Sequence, residues 1–138
     1  MAKLKVGDSL TLQTKVTEKS AALNYGSGHL KNLFATPSLV ALMIEAASKL
    51  VDKTLEEGMI SVGKVASVTH DKPTVIGETI TVKVEVEKIA SGKIDIQMEA
   101  FDEIGKIASG FNERHIVNQK GLLNRARKRE EKLKNLDF

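Results

Sequence analysis

An antiparallel sheet packed against one long helix, an α+β domain, is the fold class this sequence predicts. Two observations carry it: one broad amphipathic stripe early in the chain, over residues 36–57, and alternating segments around it at 8–16, 59–70, 78–89, 93–101 and 106–117. Segments joined by short turns pair antiparallel, and the apolar face of such a sheet needs a cover, for which the helix is the one sizeable candidate. The 138 residues, 41% apolar and 28% charged, suit one core and are short for two.

In chain order, Leu10, Leu12, Thr14 and Val16 alternate with Ser9, Thr11, Gln13 and Lys15, as in a half-buried strand. Residues 17–35 show no sustained period and contain Asn24, Gly26, Ser27 and Gly28. A loop of that length inside a small domain tends to be functional, so residues 20–35 are expected to form a lid beside the site. Thr36-Pro37 reads as a helix start, because a threonine side chain can cap the first amides and proline suits the first turn. Leu39, Val40, Met43, Ile44, Ala46, Ala47, Leu50 and Val51 form the stripe, and Gly58 reads as the stop. The strands that follow are separated by residues 71–77 with Pro73, by Ala90-Ser91-Gly92 and by residues 102–105. Residues 119–135 look helical, weakly amphipathic and basic, so the expected division is a domain over 1–118 and a basic helical tail over 119–138.

The net charge is +3, and its spread is uneven: seven of the 21 basic residues and three of the 18 acidic ones lie from Asn118 onward, leaving fourteen against fifteen before it. The body is neutral and the tail basic. With no cysteine there is no disulfide and no thiolate metal site, and His29, His70 and His115 are the only imidazoles. Neither a leader-like apolar run nor a segment of membrane-spanning length is present, so a soluble, cytoplasmic protein is expected.

Three features fit acyl-transfer chemistry. Thr36 stands where the first helical amides favour negative charge on a carbonyl oxygen; its hydroxyl could attack a thioester, orient water or simply cap the helix. His70 falls in phase with Ile60, Val62 and Val68, at the rim of an apolar face, as a base near neutral pH or as a half-buried structural histidine. Gly63 interrupts that strand, either as a bulge or as an amide exposed to an oxyanion. Glu45 is the nearest helix carboxylate, but nine steps from Thr36 put it on the far face with Ser38, Ala41, Ser48 and Asp52, solvated or at an interface. His29 sits in the loop, and His115 reads as structural.

A longer pattern joins these residues. Leu33-Phe34-Ala35-Thr36-Pro37, Val40-Ala41-Leu42-Met43, Ser61-Val62-Gly63, Val68-Thr69-His70, Pro73-Thr74 and Gly77 are followed by Ala100-Phe101-Asp102, Ile104-Gly105 and Gly110-Phe111-Asn112-Glu113-Arg114. Together, over residues 5–118, they resemble the hot-dog thioesterases of the fluoroacetyl-CoA type. The resemblance implies a hot-dog fold, with about five strands wrapped around one central helix, and homodimers or higher oligomers that pair sheets edge to edge. It also implies acyl-CoA hydrolysis at the subunit interface, with no cofactor beyond the CoA of the substrate. It assigns catalysis to Thr36, His70 and a helix glutamate, and the amide at Gly63 to the thioester oxygen; Phe34, Asn112 and Arg114 are the other expected substrate contacts. Relatives often carry histidine where Asn112 stands, which does not ionise near neutral pH. An ungapped match puts Ile44 at the acid's position and Glu45 one residue late, so Glu45 serves only if a π-turn swings it inward.

The leading expectation is therefore a thioesterase for a short or unusual acyl chain. The alternative, motivated by Ile44, is a noncatalytic acyl-CoA binding or regulatory module. Nucleic-acid binding through Arg125, Arg127, Lys128 and Arg129 is opposed by Glu130 and Glu131 and by an aromatic content of 4%, so neither a nucleic acid nor a membrane is an expected partner.

Overall fold

Alternation along the predicted segments produces one antiparallel sheet: β1 (Ser9–Lys15), β2 (Met59–His70), β3 (Thr79–Ala90), β4 (Lys93–Phe101) and β5 (Lys106–Asn118), in the order β1-β3-β4-β5-β2. The computed structural model describes residues 3–136. Ser91 and Gly92, with φ of 50° and 79°, close the β3–β4 hairpin, the left-handed pair that matches strand twist. Helix α1 (Thr36–Asp52) packs on one face of the sheet against β1 to β4. Its Leu39, Met43, Ala46, Ala47, Leu50 and Val51 are buried against Ile80, Val82, Val84 and Val86 of β3 and Ile94, Ile96, Met98 and Ala100 of β4. Each large side chain so buried contributes about 1.5–3 kcal/mol. Helix α2 (Gln119–Lys134) starts where the Asn118 side chain accepts from the Gly121 amide at 2.9 Å, and it buries no residue.

Two expectations are corrected. The long helix ends at Asp52 instead of residue 57, and the Asp52 carboxylate accepts there from the amide and the hydroxyl of Ser61, at 2.9 and 2.6 Å. The next amides, of Thr54 and Leu55, bond tightly three residues back, and Gly58 (φ 87°) serves the turn into β2. In β2 an extra residue between Gly63 and Val65 shifts the register against β5, so the strand changes face midway. Ser61 is therefore the buried residue of its first half, with Ile60 and Val62 half-buried, and the inward set continues as Val68 and His70. β2 is an edge strand, and Gly63–Ser67 are exposed along it.

Asp102 ties the β4–β5 turn to the loop after β2: Oδ2 accepts from the Thr74 hydroxyl at 2.9 Å, and Oδ1 from the Ile104 and Gly105 amides at 2.8 and 3.1 Å. Desolvation is the largest influence on its pKa and acts upward, yet these hydrogen bonds together set it below the usual 3.8. With the folded pKa depressed, the contribution is present above the unfolded pKa and is lost as pH falls through the folded one. Asp102→Asn is expected to cost about 1 kcal/mol at neutral pH. Denaturant melts in acid should show the gap to wild type closing.

Candidate active site

Sequence suggested Thr36 as a helix cap; the structure puts its hydroxyl elsewhere. Ala35 holds the cap position without a side-chain cap bond, Thr36 is the first helical residue, and its Oγ1 lies 2.7 Å from Nδ1 of His70. The approach to α1 is held from both sides, since the Phe34 amide donates to the Thr74 carbonyl at 2.8 Å and the Ala35 amide to the Ser20 carbonyl at 2.9 Å. His70 ends β2, and the chain turns immediately after it, where the amides of Asp71 and Lys72 both donate to the Ile107 carbonyl at 2.8 and 3.1 Å. A hydroxyl on the first helical turn and an imidazole at a strand end are thus locked together by their backbones.

The imidazole is oriented by packing. The Phe34 ring meets it edge-on, with centroids 6.3 Å apart and planes at 72°, and Phe34 is itself buried. Nε2 of His70 is buried without a hydrogen-bond partner among the described residues. When Nδ1 accepts from the threonine hydroxyl, Nε2 must carry the ring proton, and no carboxylate holds it. The pair forms a dyad in which, for that tautomer, the hydroxyl donates to the imidazole.

Thr36 is exposed between two cavities that share Ala22, Leu30, Ala35 and Thr36. One, of about 260 Å³, is walled by Leu33, Phe34, His70 and Asp71–Pro73; the other, of about 280 Å³, by Tyr25–His29 and Pro37. The segment expected as a lid forms these walls. Its ends are pinned by the Ala21–Phe34 and Leu33–Val75 bridges and by the Ala22 amide donating to the Leu33 carbonyl at 2.7 Å. Two short 3-10 turns, Glu18–Ser20 and Ala22–Asn24, supply what regularity it has. A cavity of about 320 Å³ at the other end of α1, lined by Leu4, Leu55, Met59, Ile89, Ile94 and Ile116 among others, has no histidine on its walls.

Not every expected residue joins the dyad. Glu45 does not turn inward: α1 is α-helical throughout, and Glu45 is exposed and ion-paired with Lys49 at 3.4 Å. Ile44 stands about 100° before Glu45 on the helix and is half-buried, and Asp52 is committed to Ser61 of β2. Gly63 stands seven residues before His70 on the same strand, roughly 20 Å away at about 3.3 Å per residue, and so outside the dyad's reach within one chain. Asn112 and Arg114, expected at the substrate, are 1% and 4% exposed. Their polar atoms are engaged within the protein, the guanidinium by Ser61 and Asn112, the Asn112 amide nitrogen by the Val65 carbonyl. Desolvation lowers the Arg114 pKa, and the nearby charge of Asp52 opposes that shift. His115 pairs with Glu113 at 2.8 Å. Sequence reading placed Asp52 on a solvated face; the bulge expected at Gly63 is present, and the change of strand face it imposes, which turns Ser61 toward Asp52, is what alternation did not show.

A family model described as fluoroacetyl-CoA-specific thioesterase matches residues 16–120. The chain belongs to that family. A fluoroacetyl-CoA thioesterase from Streptantibioticus cattleyicolor is 33% identical over 86 residues, and the match spans 62% of this chain and 62% of that relative's length. A hot-dog-like protein from Thermanaerovibrio acidaminovorans superposes with a TM-score of 0.85 at 28% identity, over 90% of this chain and 91% of the other. A variant of fluoroacetyl-CoA-specific thioesterase with fluoroacetate and CoA bound superposes at 0.76 and 25% identity, over 86% and 99%. The sheet-and-helix arrangement expected from sequence is thus the hot-dog fold. The family match ends at the first turn of α2, and no helix among the described residues is long and apolar enough to cross a membrane.

Proposed function

We propose that the protein hydrolyses an acyl-CoA thioester with a short or unusual acyl chain, and that Thr36 and His70 carry the reaction. The 2.7 Å contact between Thr36 Oγ1 and His70 Nδ1, opening on a cleft, is the observation that supports it. The hydroxyl gives its proton to Nδ1 as Oγ1 attacks the thioester carbonyl. The tetrahedral oxyanion collapses, the C–S bond breaks, and the CoA thiolate takes the proton from the imidazolium. Water then attacks the threonyl ester, with His70 as base again, releasing the acid and restoring the hydroxyl. Only the chain's own hydroxyl, imidazole and amides are used, and the first turn of α1 favours the developing negative charge.

The oxyanion amide at Gly63 and the dyad belong to one reaction only if two copies meet. The exposed edge of β2 is the surface for that: an antiparallel β2–β2 pairing with Gly63 of one copy near His70 of the other centres between Ala66 and Ser67. The working unit is therefore a homodimer with two sites. The cytoplasm is its proposed compartment, in keeping with a chain free of cysteine.

Thiol release from a panel of acyl-CoA esters, acetyl to long-chain, tests the activity, and intact-mass detection of an acylated Thr36 tests the route. CoA-ester binding with no thiol release across the panel would instead establish the binding module, the reading that Ile44 and the outward Glu45 favour. Ile44→Glu is the discriminating variant. In a working thioesterase the new carboxylate is expected to change kcat by about tenfold or less, because the dyad already supplies a base. Hydrolysis arising from nothing in Ile44→Glu would mark the native chain as the binding module.

A further inference from the structure

We infer that Asn112 and Arg114 are positioning residues: with Ser61 and Asp52 they set the backbone of the β2 bulge, and so the direction of the Gly63 amide that receives the thioester oxygen. The inference rests on the thioesterase reading above and gives these buried side chains a part in the reaction without contact to substrate.

A bulge on an edge strand has a neighbour on one side only, and the extra residue breaks the ladder with that neighbour. Within one chain its geometry must come from side chains. Before the bulge, the Ser61 carbonyl accepts from Arg114 Nη2 at 2.9 Å, and the Ser61 amide donates to Asp52 Oδ1 at 2.9 Å. The Ser61 hydroxyl accepts from Arg114 Nε at 2.9 Å and donates to Asp52 at 2.6 Å, so it bridges the guanidinium to the carboxylate. After the bulge, the Val65 carbonyl accepts from Asn112 Nδ2 at 2.7 Å. Arg114 Nη1 joins the two halves by donating to Asn112 Oδ1 at 3.2 Å.

Gly63 lies over that junction. A Cβ at this position would stand 3.2 Å from Arg114 Nη1 and 3.5 Å from Asn112 Nδ2, so a side chain here would press on the joint of the clamp. Glycine at 63 is thus explained by what runs beneath it. The planar guanidinium fixes three acceptors at once, which a lysine ammonium on a flexible stem does not reproduce. Ser61, Asn112 and Arg114 are all at most 5% exposed, so any other arrangement strands a buried polar group.

Asn112→Leu and Arg114→Lys, with Val82→Ala in the β3 core as a control for lost stability, test this. The readouts are kcat and KM on the best acyl-CoA substrate, the melting temperature, and amide hydrogen exchange of Gly63, Lys64 and Val65. Asn112→Leu is expected to lower kcat by about 10²-fold, the scale of a reacting group displaced by about 1 Å. KM should stay within about threefold, and exchange at the three bulge amides should quicken relative to the rest of β2. Val82→Ala should lower the melting temperature and move neither. Arg114→Lys, which keeps the charge, carries the same expectation should Asn112→Leu fail to fold. A kcat within about threefold of wild type in the folded variants, as in the control, overturns the inference. If wild type hydrolyses no acyl-CoA, the reading of function fails by itself. The exchange measurement still decides the clamp: quickening confined to the bulge supports it, and uniform exchange along β2 overturns it.

Discussion

His70→Leu is expected to abolish measurable hydrolysis, with kcat down by about 10³–10⁴-fold, and to leave the melting temperature unchanged or higher. The two halves of that expectation have one cause. Among the described residues, Nδ1 of His70 is the base bonded to the Thr36 hydroxyl, at 2.7 Å, so its loss leaves the hydroxyl un-ionised. Nε2 is buried with no partner, a group that costs stability in any folded protein. Leucine fills similar space against Phe34 and removes that cost, while Thr36 is exposed and keeps water for its own hydroxyl. Thr36→Val should lose comparable activity, and the double variant little more than either alone, since groups that act as a unit are not additive. Steady-state thiol release and thermal melts on the three variants check this. A variant both inactive and strongly destabilised would point instead to a structural histidine.

The same pair shows how far sequence carries. The strands, their turns and the apolar stripe of α1 were legible because each follows a periodicity that burial enforces locally. So were Thr36 and His70 as candidates, from a helix start and a strand end. Their contact was not legible: it depends on Phe34 and Ala35 being held by Thr74 and Ser20, bonds between residues far apart in the chain. The phase of β2 failed for a similar reason, because one extra residue at the bulge reverses every face beyond it and alternation alone does not reveal where the slip occurs. Polar residues in a recognisable motif, such as Asn112 and Arg114, read as substrate contacts. Burial turns them inward, onto Ser61 and Val65. Glu45 failed more simply, since an uninterrupted helix leaves it a full 100° past the flank that Ile44 occupies.

Complementation between two inactive chains is the prediction that reaches furthest. Gly63→Val crowds Arg114 Nη1, which would lie 3.2 Å from the first added carbon, and so disturbs the oxyanion amide. Removing one such donor costs about 10²–10³-fold in kcat. His70→Leu is inactive for the separate reason above. Mixed and allowed to exchange subunits, the two should recover about one quarter of wild-type activity: half of the dimers are then hybrids, and each hybrid has one of its two sites intact. The intact site takes Thr36 and His70 from the Gly63→Val chain and Gly63 from the His70→Leu chain. No arrangement within a single chain gives that result, because the six residues of β2 between Gly63 and His70 hold the two roughly 20 Å apart. Glutamates at Ala66 and Ser67, the centre of the expected β2–β2 pairing, should prevent the recovery, since like charges placed opposite each other on paired strands repel. Sedimentation of that variant should show a folded monomer. No recovery in wild-type-edged mixtures that do exchange would place the whole site within one chain and remove Gly63 from the reaction, and recovery that persists with the glutamates would move the contact between copies away from the β2 edge.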